Sequence, residues 1–174
     1  GERMIVDIPL SGTEAVAGVL ETAPVEVPLL VAIYLDGRRL LLPQREVFSL
    51  ESVLDVRRGG VQPPAAGVIE LVEEEWPVYC LSGETLTPAL DFPSPRRICL
   101  LLSDGYYRLA IVCDQVETLA YSPRAAYPLP PCLAKPGALI ERLVVHGETV
   151  GCMTTTARLA VYCQRDMDWN SRNG

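Results

Sequence analysis

Two Asp-Gly pairs, Asp36-Gly37 and Asp104-Gly105, each stand between apolar runs, and this constrains the chain more than any other feature. A two-residue hairpin of type I′ needs positive φ at both central positions, which Asp and Gly accept and β-branched residues resist. Residues 25–35 and 38–42 are therefore expected as one pair of strands, and 98–103 and 107–114 as a second. His146-Gly147 sets a third pair, between 139–145 and 148–153. Between the first two lies 67–81, which reads as strand, acidic turn, strand. Val68, Ile69 and Leu71 supply β-branched and apolar bulk, while Glu73, Glu74 and Glu75 cannot be buried together and mark an exposed bend. Trp76, Val78 and Cys80 then alternate with Pro77 and Tyr79, the period of a strand with two different faces. Short strands, hairpin pairs and alternation predict an all-β barrel or sandwich.

The remaining segments fit around that frame. Pro28 lacks a ladder N–H, so the first strand is expected at a sheet edge or with a bulge. Residues 44–56 carry Val47, Leu50, Val53, Leu54 and Val56, a pattern that suits a strand or a short helix. Ser11-Gly12-Thr13-Glu14 has capping-box form and opens a short helix that Pro24 ends. That helix either packs on the outside of the body or offers its small apolar stripe to a partner. Thr154-Thr155-Thr156 can cap a closing helix through Arg165, with Ala157, Ala160 and Val161 on one face. Residues 83–97, rich in Pro and Thr, are expected to connect two halves, and 123–136, with five prolines, to form a loop. The expected organisation is an N-terminal helical extension over 1–24, the body over 25–165 and a flexible tail over 166–174.

Composition excludes several classes of function. A net charge of −7 is the wrong sign for a nucleic-acid partner, which needs clustered Lys and Arg. Lys135 is the only lysine, a bias that points to codon usage first and to arginine-rich interfaces second. The apolar run over 28–35 is too short to cross a bilayer, so no direct membrane insertion is expected. Six cysteines occur, Cys80, Cys99, Cys113, Cys132, Cys152 and Cys163, none at C-x-x-C spacing. Most lie in apolar runs, as in Ile98-Cys99-Leu100, where a thiol behaves as a small buried hydrophobe in a cytoplasmic protein. His146, the single histidine, precedes a turn glycine with no nucleophile or orienting acid nearby in sequence, and is read as a turn residue rather than a catalyst. Three adjacent carboxylates at 73–75 point in different directions and hold no cation. With no P-loop, dinucleotide fingerprint, zinc helix or nucleophile elbow, no catalytic residue, metal or cofactor is expected, and the chain is not read as an enzyme.

The frame Gly67-Val68-Ile69-x-Leu71 followed by Pro77-Val78-x-x-Leu81 resembles the central segment of CheW-like domains, the adaptor modules of bacterial chemotaxis arrays. Ala110-Ile111-x-Cys113-Asp114-x-Val116 resembles a second family run, and the ordered set extends from about Leu29 to Cys163. Where the family usually reads Arg-Gly after the first strand and Asp in the second, this chain has Val72-Glu73 and Cys80. The resemblance implies two small five-stranded SH3-like β-barrels packed on a shared apolar core. It also implies a non-enzymatic adaptor in a bacterial chemosensory pathway, coupling a chemoreceptor cytoplasmic tip to a histidine kinase regulatory domain; a system controlling pili or surface motility rather than flagella is one setting for it. An alternative is a scaffold or regulator of the same fold with another protein partner. By the same resemblance, the receptor groove positions carry over to Val47, Gly67, Val72, Val116 and Leu119. Simple core packing is the competing reading of the apolar ones.

Overall fold

In a computed structural model of the protein, residues 29–119, 125–132 and 135–173 are described. The expected N-terminal helix, Pro24 and Pro28 lie outside them. The described residues form two sheets. One runs β10-β11-β12-β2-β1-β9, and the other runs β3-β7-β8-β5-β4 with β6 added on β5. Here β1 is Leu30–Leu35, β2 Arg38–Pro43, β3 Val47–Ser52, β4 Gly67–Leu71, β5 Glu74–Ser82, β6 Thr87–Ala89, β7 Ile98–Ser103 and β8 Arg108–Cys113. The rest are β9 Gln115–Thr118, β10 Ala125–Pro128, β11 Arg142–His146 and β12 Thr149–Met153. The chain leaves the first sheet after β2, builds the whole second sheet, and returns at Asp114. Each expected barrel of five strands thus gains one, β10 in the loop expected over 123–136 and β6 in the connector expected over 83–97. β1 is not an edge strand: β2 pairs with one side and β9 with the other.

Alternation along the strands sorts side chains into three apolar clusters. Val31, Ile33 and Leu35 of β1 join Leu100 and Leu102 of β7 and Leu109 and Ile111 of β8 in one core shared by both sheets. The intervening residues point the other way. Leu30 and Ala32 pack with Leu41, Ala126, Val144 and Met153 inside the first sheet. Cys99, Leu101, Ala110 and Val112 pack with Ile69, Trp76 and Val78 inside the second. Strands buried on both faces explain the near-continuous apolar runs of the sequence. The architecture is two small curled β-sheets around a common core, as the resemblance implies.

The turns refine the sequence reading. Asp36 and Gly37 both take positive φ, 51° and 80°, and Leu35 pairs with Arg38 across them. Between β4 and β5 the two-residue turn is Val72-Glu73, with φ of 52° and 63°, rather than the glutamate run. Glu74 and Glu75 stay in the strand because Arg108 and Arg57 pair with them. The β7–β8 tip is a four-residue loop in which Asp104 Oδ1 accepts the N–H groups of Tyr106 and Tyr107. His146 closes β11 and pairs with Thr149, so the third turn is Gly147-Glu148 and His146 is not its positive-φ residue.

One helix, α1 (Thr156–Asn173), closes the described chain and runs past the expected end at Arg165, taking in the stretch expected as a tail. Thr155 is its cap, with Oγ1 accepting the Arg158 N–H at 3.1 Å. Leu159 and Cys163 enter the shared core, with Ala160 beside them, whereas Val161 is 41% exposed. The buried face is therefore turned away from Val161, because Leu159 has more surface to bury.

All six cysteines are free thiols: Cys80, Cys99, Cys113 and Cys163 are buried, Cys152 is half-buried and Cys132 is exposed. Burial pushes the Cys99 and Cys113 thiols up to about 12. A thiol reagent added to the native protein should therefore modify Cys132 quickly and the four buried cysteines only as the protein unfolds. Rapid native labelling of Cys99 or Cys113, located by peptide mass spectrometry, would contradict this packing.

Candidate protein-binding site

The two sheets are fastened by a buried guanidinium. Arg96, in the connector before β7, is almost wholly enclosed. Its Nη1 donates to the Val112 carbonyl at 3.2 Å and to Cys80 Sγ at 3.3 Å. Its Nη2 lies 2.9 Å from Asp36 Oδ1 and its Nε 3.6 Å from Asp114 Oδ1. Neither carboxylate contact is a well-directed hydrogen bond, so charge attraction carries them. Asp36 belongs to the turn of the first sheet, yet its Oδ2 accepts from Ser82 Oγ at 2.7 Å and the Gly83 N–H at 2.9 Å, both at the end of β5. Asp114, where the chain returns to the first sheet, accepts the Asp36 N–H at 2.8 Å. The junction fixes how the first hairpin sits against the second sheet, and with it the face that the two sheets share.

Val47 and Val116 are both half-buried against the shared core, from the outer strand of the second and first sheet respectively. Leu119 packs instead on the interior of the first sheet, where its N–H donates to the Leu30 carbonyl at 3.3 Å. Gly67 is buried, and its close approach is to the protein's own backbone. A Cβ there would lie 2.6 Å from Val56 Cγ1 and 2.8 Å from the Arg57 carbonyl oxygen. Arg57 and Val68 exchange both backbone hydrogen bonds at 2.8 Å, curling the segment after β3 onto β4. Val72 stands on its turn, 78% exposed. Of the five positions, only Val47 and Val116 meet on one cluster.

A further set of exposed apolar residues gathers at one end of the second sheet. Phe48, at the bulge of β3, is 56% exposed and lies 4.9 Å from Trp76, ring centre to ring centre. Arg108 reaches over the same indole at 5.5 Å and pairs with Glu74 at 2.6 Å. Tyr106, 84% exposed, stacks edge-on against Tyr107 at the adjacent tip. The sequence reading missed Phe48 and Tyr106; an aromatic beside the Asp104-Gly105 tip was the available signal for Tyr106. Among the described residues no group of three or more His, Cys, Asp or Glu side chains is placed to hold a metal ion, and no helix is long and apolar enough to cross a membrane.

No family model and no curated protein sequence matches this chain. Its structure is similar to the crystal structure of the scaffolding protein TtCheW from Thermoanaerobacter tengcongensis, with a TM-score of 0.57 at 16% sequence identity. The likeness covers 74% of this chain and 89% of that one. The fold is therefore CheW-like, in a divergent form.

Proposed function

We propose that this CheW-like chain is a non-enzymatic adaptor in a bacterial chemosensory pathway, joining a chemoreceptor cytoplasmic tip to a histidine kinase regulatory domain in the cytoplasm. The observation that carries the reading is the similarity to a scaffolding protein over nearly that protein's full length. Half-buried apolar side chains at Val47 and Val116, beside the core common to both sheets, suit a helix laid in a groove. The pathway we have in mind is one controlling pili or surface motility rather than flagella.

A specific observation favours a dedicated partner over a standard receptor. Val72 stands where the resemblance places an arginine, and Glu73 beside it adds negative charge. An arginine brings five donors and a fixed positive charge, whereas a valine brings none. Losing a charge-assisted hydrogen bond costs about 1.5–3 kcal/mol, roughly ten- to a hundred-fold in affinity. Calorimetric titration with a receptor-tip fragment should therefore show weak binding by the natural protein and tighter binding by Val72→Arg/Glu73→Gly. Binding by the unmutated protein as tight as that of an ordinary CheW-like adaptor measured alongside would refute altered specificity. A parallel titration with the kinase regulatory domain tests the adaptor reading. No binding to that domain or to either receptor-binding variant would favour a scaffold with a different partner.

A further inference from the structure

The strand register leaves the shared core only partly covered along one outer strand of each sheet. Directly opposed residues share a face, so a residue paired with a member of that core points toward it. On β3, Val47 pairs with Leu102 and Leu50 with Leu100. On β9, Val116 pairs with Ile33 and Thr118 with Val31. Val47 and Val116 are half-buried, whereas Leu50 is 53% exposed. The chain enters the body at one end of this face. Leu29 continues the alternation of Val31 and Ile33, which places it on the same side, and it is 56% exposed. Its carbonyl accepts the Gln44 N–H at 2.8 Å, and the Leu30 carbonyl accepts the Leu119 N–H at 3.3 Å. The start of β3 and the end of β9 therefore flank the point of entry.

The residues that precede Leu29 carry a matching surface. Ala15, Val16, Val19 and Leu20 fall on one side of the helix that the sequence predicts from Ser11 to Pro24. A helix this short is marginal by itself and needs an apolar surface to lie on. The chain from Leu20 to Leu29 can reach about 30 Å, while the six residues of β3 span about 20 Å. The tether therefore gives the helix access to the whole of β3. Charge agrees with that placement. Residues 11–24 hold Glu14 and Glu21 and no Lys or Arg. Arg45 lies just before β3, and the Arg97 carbonyl accepts the Val53 N–H just after it. Both arginines are exposed, and among the described residues no acid is paired with either.

We propose that residues 11–24 fold back as a helix onto the face shared by Val47, Leu50 and Val116, and so occupy the groove in which a partner helix would lie. The apolar stripe supplies the anchor, and Glu14 and Glu21 select the arginine-flanked strand. A tether of this length holds the segment at an effective concentration of about 1 mM. A contact with a dissociation constant of only about 0.1 mM is then closed about nine-tenths of the time, and weakens a competing helix about tenfold. The docking stands on register and charge, while its effect on a partner rests on the adaptor reading.

The test uses the full chain with carbon-13 in its methyl groups. Nuclear Overhauser contacts are expected from Val16, Val19 or Leu20 to Val47, Leu50 or Val116, and Val16→Asp/Leu20→Asp should abolish them. The melting curve of that variant checks that the body remains folded. No such contacts in the natural chain, or contacts of the stripe with another surface, would overturn the proposal. So would contacts seen only between differently labelled molecules in a mixed sample, which would assign the face to the segment of a second copy. Titration with a receptor-tip fragment then reads the regulation. Val16→Asp/Leu20→Asp should bind it about tenfold more tightly than the natural chain does. Equal measurable affinity in the two chains would overturn the blocking role even with the contacts present. A fragment that binds neither chain would count against the adaptor reading instead, and the methyl contacts would still decide the docking.

Discussion

The Asp36→Asn/Asp114→Asn protein is expected to lose on the order of 3–5 kcal/mol of stability, and to regain much of it when Arg96→Met is added. The two asparagines keep the shape of the aspartates and an acceptor oxygen, so the change is one of charge. It leaves the wholly enclosed Arg96 guanidinium with no anion against it. Removing the arginine as well exchanges an uncompensated buried charge for an apolar side chain of similar length. Denaturant unfolding of the double and triple variants checks this, and a triple variant less stable than the double would show that the guanidinium's hydrogen bonds to Val112 and Cys80 matter more than its charge. The same junction predicts acid sensitivity. The Gly83 N–H and the Ser82 hydroxyl, then Arg96, hold the Asp36 carboxyl down at about 2. Since the unfolded value is near ~3.9, the group's contribution is complete above that pH and is lost as pH falls toward about 2. Asp36→Asn should flatten the stability profile in that window.

That junction marks the boundary of what the sequence made legible. Local signals succeeded. Asp36-Gly37 turned where a type I′ hairpin demands, and runs such as Ile98–Ser103 were apolar on both faces because each face meets a different core. Signals that depend on a distant residue failed. Nothing near Arg96 in a proline- and threonine-rich connector announces that Asp36 and Asp114 will close on it. The Val72-Glu73 turn was missed for a related reason. Neither residue favours positive φ, so the bend was expected one residue later, on the glutamates that Arg57 and Arg108 in fact hold within β5. At the site, the family resemblance singled out Val47 and Val116, and both rest half-buried on the shared core. It could not distinguish Gly67, which is held against Val56 and Arg57 of the same chain, from a glycine open to a partner.

Glu46→Ala is expected to cost about 3 kcal/mol and Glu46→Gln only about 1, a contrast that isolates what the carboxylate does at the start of α1. Glu46 ends the short helical turn Gln44–Glu46, through which the chain passes from the first sheet to the second. It is buried, and its Oε1 accepts both the Thr156 N–H at 2.8 Å and the Thr156 hydroxyl at 2.7 Å. The first N–H groups of a helix have no partner within it, and an anion there also meets the positive end of the helix dipole. Glutamine keeps the accepting oxygen and gives up only the charge. Alanine gives up both and strands two donors of a fully buried threonine. Because Leu159 and Cys163 seal the shared core from this helix, its first turn should then exchange amide hydrogens faster, and Val47, next in sequence to Glu46, should lose its fixed position on that core. Hydrogen exchange and denaturant unfolding of the two variants measure these effects separately. Equal losses in Glu46→Ala and Glu46→Gln would mean that charge alone anchors the helix. No loss in Glu46→Ala would mean that packing of Leu159 and Cys163 holds α1 in place without it.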